Sequence, residues 1–197
     1  MKRIHLFTIA IAILLAACNR QKQQGENNSE KNVMMQAMDE SMMAMHQTKH
    51  TGNADYDFAA MMIPHHKGAI VMAEAVIKGG GSPTLVNFAN QVIEAQKREV
   101  AILNDFLKVA STKPAKNADQ IKTALNNSMG SMMSGMSEAK LTGNIDKDFV
   151  HLMIPHHQSA VDMAKAYLPY ARNDQLKKMA GEIIHAQEKE IKWLQTQ

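Results

Sequence analysis

Two stretches of the chain, MMIPHHKGAIVMA at 61–73 and LMIPHHQSAVDMA at 152–164, each set adjacent histidines behind a proline, with methionines before and after. Imidazole nitrogen and thioether sulfur are both uncharged donors to transition metals. Sulfur prefers soft Cu(I), whereas imidazole also accepts Cu(II), Zn and Ni, so together they suit copper in both oxidation states. A histidine on an apolar helix face is, taken singly, more often a hydrogen-bonded core residue than a ligand. Recurrence argues against that here, because a buried imidazole without a partner costs about 1–3 kcal/mol and the cost would arise twice at matching places.

The elements that must position these groups read as helices. Apolar residues recur at three and four, and strand-like alternation is absent. On a wheel of about 100° per residue, His66 falls in the apolar arc with Phe58, Met62, Ala69 and Ala73. His65 lies on the flank of that arc near Met61 and Met72, and Lys67, Glu74 and Lys78 take the solvent side. The second copy places His157 with Phe149, Met153, Ala160 and Ala164, and His156 on the flank with Met163. Pro64 and Pro155 sit inside the helical pattern, where each removes a backbone donor and tends to bend the helix. The bend either re-aims the imidazoles or serves packing alone.

The partner helix of the first copy has an apolar stripe of Leu85, Phe88, Ala89, Val92, Leu103 and Phe106 that also contains Gln96 and Glu99; the second copy has Gln187 and Glu190 there. A carboxylate turned toward a core must be paired, protonated or bound to a cation. Glu99 and Glu190 therefore have two roles open to them, as ligands or as groups that fix the histidine tautomers. Glu94 and His185 fall on the exposed side, so His185 is not counted as a primary ligand.

Methionine is abundant beyond these motifs: 17 residues, against one Trp, three Tyr and five Phe. Met34, Met35, Met38, Met42 and Met45 share a face of residues 33–49 with His46, while Met129, Met132, Met133 and Met136 lie among Ser128, Gly130, Ser131, Ser134 and Gly135. The usual role of methionine is adaptable core filling. The second segment predicts a poor, mobile helix that offers little rigid surface to pack. On this reading Met38, Met42, Met45, Met129, Met133 and Met136 form a periphery that catches Cu(I), and the histidine core holds it more firmly.

The chain is written twice. A shift of 91 positions aligns Thr51-Gly52-Asn53 with Thr142-Gly143-Asn144, the two histidine motifs with each other, Gln96 with Gln187 and Glu99 with Glu190, without a gap. Helices are expected near 33–49, 55–78, 83–109, 118–138, 146–169 and 173–196. Gly79-Gly80-Gly81 stops one helix, and Ser82-Pro83 caps and starts the next. Each half thus contains a helical hairpin, and two hairpins bury their stripes most simply as a four-helix bundle, with the methionine-rich helices lying across or beside it. The repeat copies run from about 34 to 106 and from 125 to 197, and residues 33–197 are read as one duplicated helical domain.

Residues 1–17 run from Lys2 and Arg3 through an apolar stretch to Leu15-Ala16-Ala17-Cys18, the layout of a secretory signal ending in a bacterial lipoprotein cleavage box. Cys18 would then carry lipid, with 18–32 as a polar tether. This places the protein outside the cytoplasm on a membrane anchor, facing the periplasm from the outer membrane if the host has two membranes. Cys18 is the single cysteine, so there is no internal disulfide and no thiolate metal site. Without Lys2 and Arg3 the chain keeps 20 basic against 19 acidic side chains, and nothing suggests nucleic acid.

DYDFAAMMIPHHKGAIVMA and DKDFVHLMIPHHQSAVDMA, together with IEAQKREVAIL and IHAQEKEIKWL, resemble the family catalogued as domain of unknown function 305. The resemblance covers roughly residues 50–197. It implies a ferritin-like four-helix bundle and, from members implicated in periplasmic copper binding and tolerance, metal roles for His65, His66, His156 and His157, with Met62 and Met153 as donors. It does not imply an enzyme. The partners expected are a copper ion, the membrane and copper-transfer proteins. Two other readings remain: a ferritin-like di-iron oxidase, prompted by the E-x-x-H spacing of Glu182 and His185, and an envelope scaffold that binds no metal.

Overall fold

The computed structural model describes residues 33–197 and is all-α. The signal, Cys18 and the tether lie outside the described residues. Helix α1 covers 33–47. α2 (Ala54–Lys78) and α3 (Pro83–Val109) form the first hairpin. α4 (Ala118–Asn127) and α5 (Gly130–Glu138) lead to the second, α6 (Ile145–Tyr167) and α7 (Asp174–Leu194), whose connection includes a 3₁₀ turn, Leu168–Tyr170. The hairpins pack on each other through α2 and α6, giving the ferritin-like bundle. Among the described residues no helix is long and apolar enough to cross a membrane.

Local sequence sets the hairpin geometry. Ser82 caps α3 by accepting from Leu85 N–H at 3.4 Å, with Pro83 in its first turn, and Gly80 takes φ +74° in the loop before it. In the second hairpin Asn173 caps α7 by accepting from Leu176 N–H. Each histidine-bearing helix begins with an asparagine cap: Asn53 accepts from Asp55 and Tyr56 N–H, and Asn144 from Lys147 N–H. Three residues inside that start, Asp57 accepts from Thr51 N–H, Thr51 Oγ1–H and Gly52 N–H at 2.7–3.0 Å, and Asp148 repeats the pattern with Thr142 and Gly143.

The two hairpins are stapled reciprocally. At the start of α2, Asp55 accepts from the Tyr167 hydroxyl at 2.6 Å and from Arg172 N–H at 3.0 Å, both at the turn of the second hairpin. Asp146, its equivalent on α6, accepts from Ser82 N–H at the turn of the first. The start of each histidine helix is therefore tied to the far end of the other, so α2 and α6 run antiparallel with their centres side by side. Burial and the Asp55 carboxylate push the Tyr167 phenol far above its ordinary range, and its ring stacks on Phe58 at 4.2 Å.

The segment expected as one helix over 118–138 is two. The equivalent of α1 in the second copy breaks between Asn127 and Gly130, where Ser128 Oγ–H donates to the Leu125 carbonyl and glycine replaces the aspartate found at 39. α5 is nevertheless a docked nine-residue helix and not the poorly packing segment that its composition suggests. Gly135 rests on Pro155 so closely that an added Cβ would overlap the proline Cβ, and the Ser131 hydroxyl bonds Asp162. On the other side α1 crosses α2 at Gly68, where a Cβ would stand 2.7 Å from Ser41 Cβ. Replacing either glycine by alanine should lower stability by about 1–3 kcal/mol, the usual cost of overpacking. Urea unfolding of Gly68→Ala and Gly135→Ala checks this, and wild-type midpoints would contradict the close docking of α1 and α5.

Candidate metal centre

The antiparallel crossing brings the four motif histidines together where α2 passes α6. The rings of His65 and His156 lie 3.9 Å apart between centroids, His65 and His66 are 6.0 Å apart, and His156 and His157 are 6.4 Å apart. All four are fully buried. The wheel placed His65, His156, Met61, Met72 and Met163 on the flank of the apolar stripe. In the structure His65 and His156 meet across the seam between the hairpins, and all five are completely buried. A wheel drawn for one helix pair shows one buried face, whereas α2 and α6 are each covered on more than one side.

His65 is the ring with defined hydrogen-bonding neighbours: its Nε2 stands 2.7 Å from Ser159 Oγ and 3.1 Å from the His156 carbonyl oxygen, and Ser159 Oγ–H donates to that same carbonyl at 2.8 Å. Nδ1 of His65 and both ring nitrogens of His66, His156 and His157 have no hydrogen-bond partner. His66 Nε2 lies 2.8 Å from Glu99 Oε2, and His157 Nε2 lies 3.0 Å from Glu190 Oε2. These contacts have ion-pair distance without hydrogen-bond direction. The carboxylates are 24% and 28% exposed, so each stands between solvent and a buried ring. Gln96 and Gln187 are also buried, with Oε1 unpartnered.

Burial holds His65 and His156 well below the ordinary histidine range. The neighbouring rings add to this, His66 and His157 for His65, and His65, His157 and His66 for His156; a backbone carbonyl from the facing helix opposes it in each case. Both rings are thus kept neutral, the state in which imidazole can donate a lone pair to a metal. Among the described residues no three His, Cys, Asp or Glu side chains converge as a site for one ion. A centre of three or more ligands at the seam would therefore draw on other donor types, and Met61, Met62, Met72, Met153 and Met163 are all fully buried on the same two helices.

The remaining sites expected from sequence are dispersed. Met38, Met45 and Met129 belong to the core and are not peripheral; Met42 and Met136 are half-buried, and Met133 is 49% exposed. The apolar face of α1 is turned inward onto α2, which removes most of its thioethers from solvent. Met43, which the sequence reading passed over, is 46% exposed. Also missed were Ser159, which needed knowledge of the facing helix, and Asp57 and Asp148, which the repeated T-G-N-x-D-x-D pattern could have revealed. Glu182 and His185 lie on the surface, whereas a di-iron centre in a bundle needs such residues projecting inward.

A duplicated helical bundle with paired histidines at its seam defines the class. The chain belongs to the family described as Domain of unknown function (DUF305), whose profile matches residues 11–107 and 55–197. Among solved structures it is similar to CopM in the Ag-bound form (by soaking), at 31% identity over 72% of this chain and 92% of that one, with a TM-score of 0.55. CopM in the Cu(II)-bound form matches at 27% identity over 72% and 93%, TM-score 0.55. CopM in the Cu(I)-bound form matches at 31% over 72% and 93%, TM-score 0.52. No curated protein matches the chain.

Proposed function

We propose that this protein binds copper, as Cu(I) and Cu(II), outside the cytoplasm on a lipid anchor at Cys18, for sequestration, tolerance or transfer to a partner, without catalytic turnover. The observation that carries the reading is the seam itself. Five imidazole nitrogens in neither a hydrogen bond nor an ion pair are buried at the crossing of α2 and α6, a cost of about 1–3 kcal/mol for each unsatisfied polar group that metal coordination would offset. The same two helices carry buried thioethers, at Met61, Met62, Met72, Met153 and Met163, and thioether sulfur favours Cu(I) over zinc or iron. Copper- and silver-bound CopM structures among the similar folds support the same choice. The anchor rests on Leu15-Ala16-Ala17-Cys18.

Anaerobic titration of the full chain against a chromogenic Cu(I) chelator tests the binding. Replacing His65, His66, His156 and His157 together by leucine should weaken Cu(I) binding by about a hundredfold, the upper end of what even supporting residues of a metal site contribute. Far-UV circular dichroism checks that the variant stays helical. Wild-type affinity in a folded variant would remove the histidine centre from the proposal.

A further inference from the structure

The two halves of the seam are not equivalent, and one difference lies at a pair of related positions beside the central rings. Ser159 on α6 corresponds to Gly68 on α2. Ser159 Oγ has one proton, and its geometry gives that proton to the His156 carbonyl at 2.8 Å. The oxygen then faces His65 Nε2, 2.7 Å away, as an acceptor, and the carbonyl oxygen, 3.1 Å from the same nitrogen, can only accept. A bare lone pair on Nε2 would confront the carbonyl oxygen and take the serine proton from it. A proton on Nε2 satisfies all three atoms.

We propose that Ser159 and the His156 carbonyl lock His65 as the Nε2–H tautomer, so that Nδ1, buried and unpartnered, is the atom His65 offers to the metal. Ligating histidines commonly donate their other ring N–H in this way, which fixes the tautomer and raises the basicity of the donor nitrogen. His156 has the His65 carbonyl opposite its ring but no hydroxyl to complete such a clamp. The corresponding hydroxyl would have to stand at position 68, where α1 leaves no room: even a Cβ there would lie 2.7 Å from Ser41 Cβ and 2.8 Å from Ser41 Oγ. Accordingly neither ring nitrogen of His156 is hydrogen-bonded. Docking of α1 thus makes one imidazole of the central pair a fixed donor and leaves the other without the hydroxyl that would fix its tautomer. Ser159 is a positioning residue.

The ligand in this inference rests on the copper reading, but the tautomer does not, and the experiment separates them. Long-range ¹H–¹⁵N correlation spectra of the metal-free full chain with ¹⁵N-histidine, at about pH 7.5, distinguish Nε2–H, Nδ1–H and averaging rings; the His65→Gln spectrum assigns the signal. We expect His65 to show the pure Nε2–H pattern and to move toward the averaged pattern in Ser159→Ala, with Cu(I) affinity weakened about 10–100-fold. Added Cu(I), which is diamagnetic, should shift Nδ1 of His65 and leave Nε2 protonated. An Nδ1–H or averaged wild-type ring overturns the lock, even if Ser159→Ala does not fold. An unchanged pattern in folded Ser159→Ala overturns the role of the serine. A correct tautomer in a chain that binds no Cu(I) leaves the lock standing and defeats only the copper reading.

Discussion

Replacing Asp57 by alanine should destabilise the protein by about 3–5 kcal/mol, and the same change at Asp148 by roughly half as much. Asp57 is fully buried and accepts three hydrogen bonds, from Thr51 N–H, Thr51 Oγ1–H and Gly52 N–H. Bonds to an ionised acceptor contribute about 1.5–3 kcal/mol each, and donors left unsatisfied in a buried site cost about 1–3 kcal/mol. The second copy keeps the geometry but not the enclosure. Gly52 is buried and Thr51 half-buried, whereas Thr142 is exposed and Gly143 half-buried, so water can replace the Asp148 carboxylate more readily. His50, whose Nδ1 lies 3.6 Å from Asp57 Oδ2, has Leu141 as its counterpart and adds to the first site alone. Equilibrium urea unfolding of both variants measures the difference. Equal losses would show that these carboxylates act only within their own loops, and a loss below 1 kcal/mol for Asp57→Ala would refute the clamp.

The functional consequence follows from where the clamp sits. Asp57 fixes the entry of α2 beside Asp55, and Asp55 ties that entry to the turn of the other hairpin through Tyr167 and Arg172. Together they set how far α2 slides along α6. A slide of one residue along a helix is 1.5 Å and rotates side chains by about 100°, enough to separate rings that now stand 3.9 Å apart.

Much of this architecture was legible in the chain because it is a matter of period and repetition. The offset of 91 gave two hairpins, Ser82-Pro83 marked a helix start, and the apolar stripe carrying Glu99 and Glu190 pointed those carboxylates toward the histidines, where they are found. What escaped depends on which helix faces which. His65 looks peripheral on a wheel because its face is buried only when a second hairpin arrives. Ser159 looks like a small filler until the His65 ring is seen against it. The fate of the methionines turned on docking: the same Met-x-x-x pattern that offers soft ligands also offers an apolar face, and α1 buries Met34, Met38 and Met45. Composition could not separate those outcomes because a thioether is chemically suited to both.

Acidification should destabilise the metal-free bundle well above the pH at which carboxylates titrate. His65 and His156 titrate near 6.5 in the unfolded chain, but burial, assisted by neighbouring rings, holds their folded values well below it. Above pH 6.5 both states leave these rings neutral and the stability is fully present. As pH falls through 6.5 the unfolded chain takes up protons that the folded one refuses, so stability is lost until the depressed native values are reached. The limiting slope is about 1.4 kcal/mol per pH unit for each histidine, and the two together make this one of the steepest dependences expected for the molecule. Urea unfolding at intervals from pH 8 to pH 5 should give a plateau followed by a decline, and the His65→Gln, His156→Gln double variant should flatten the decline. If Cu(I) is held by these rings as proposed, it needs them unprotonated, so added Cu(I) should carry the plateau to lower pH while its own affinity weakens with acid. A stability that stays level from pH 7.5 to 5 without metal would mean that these rings accept protons in place, and the seam would then have to be open to water in a way its complete burial denies.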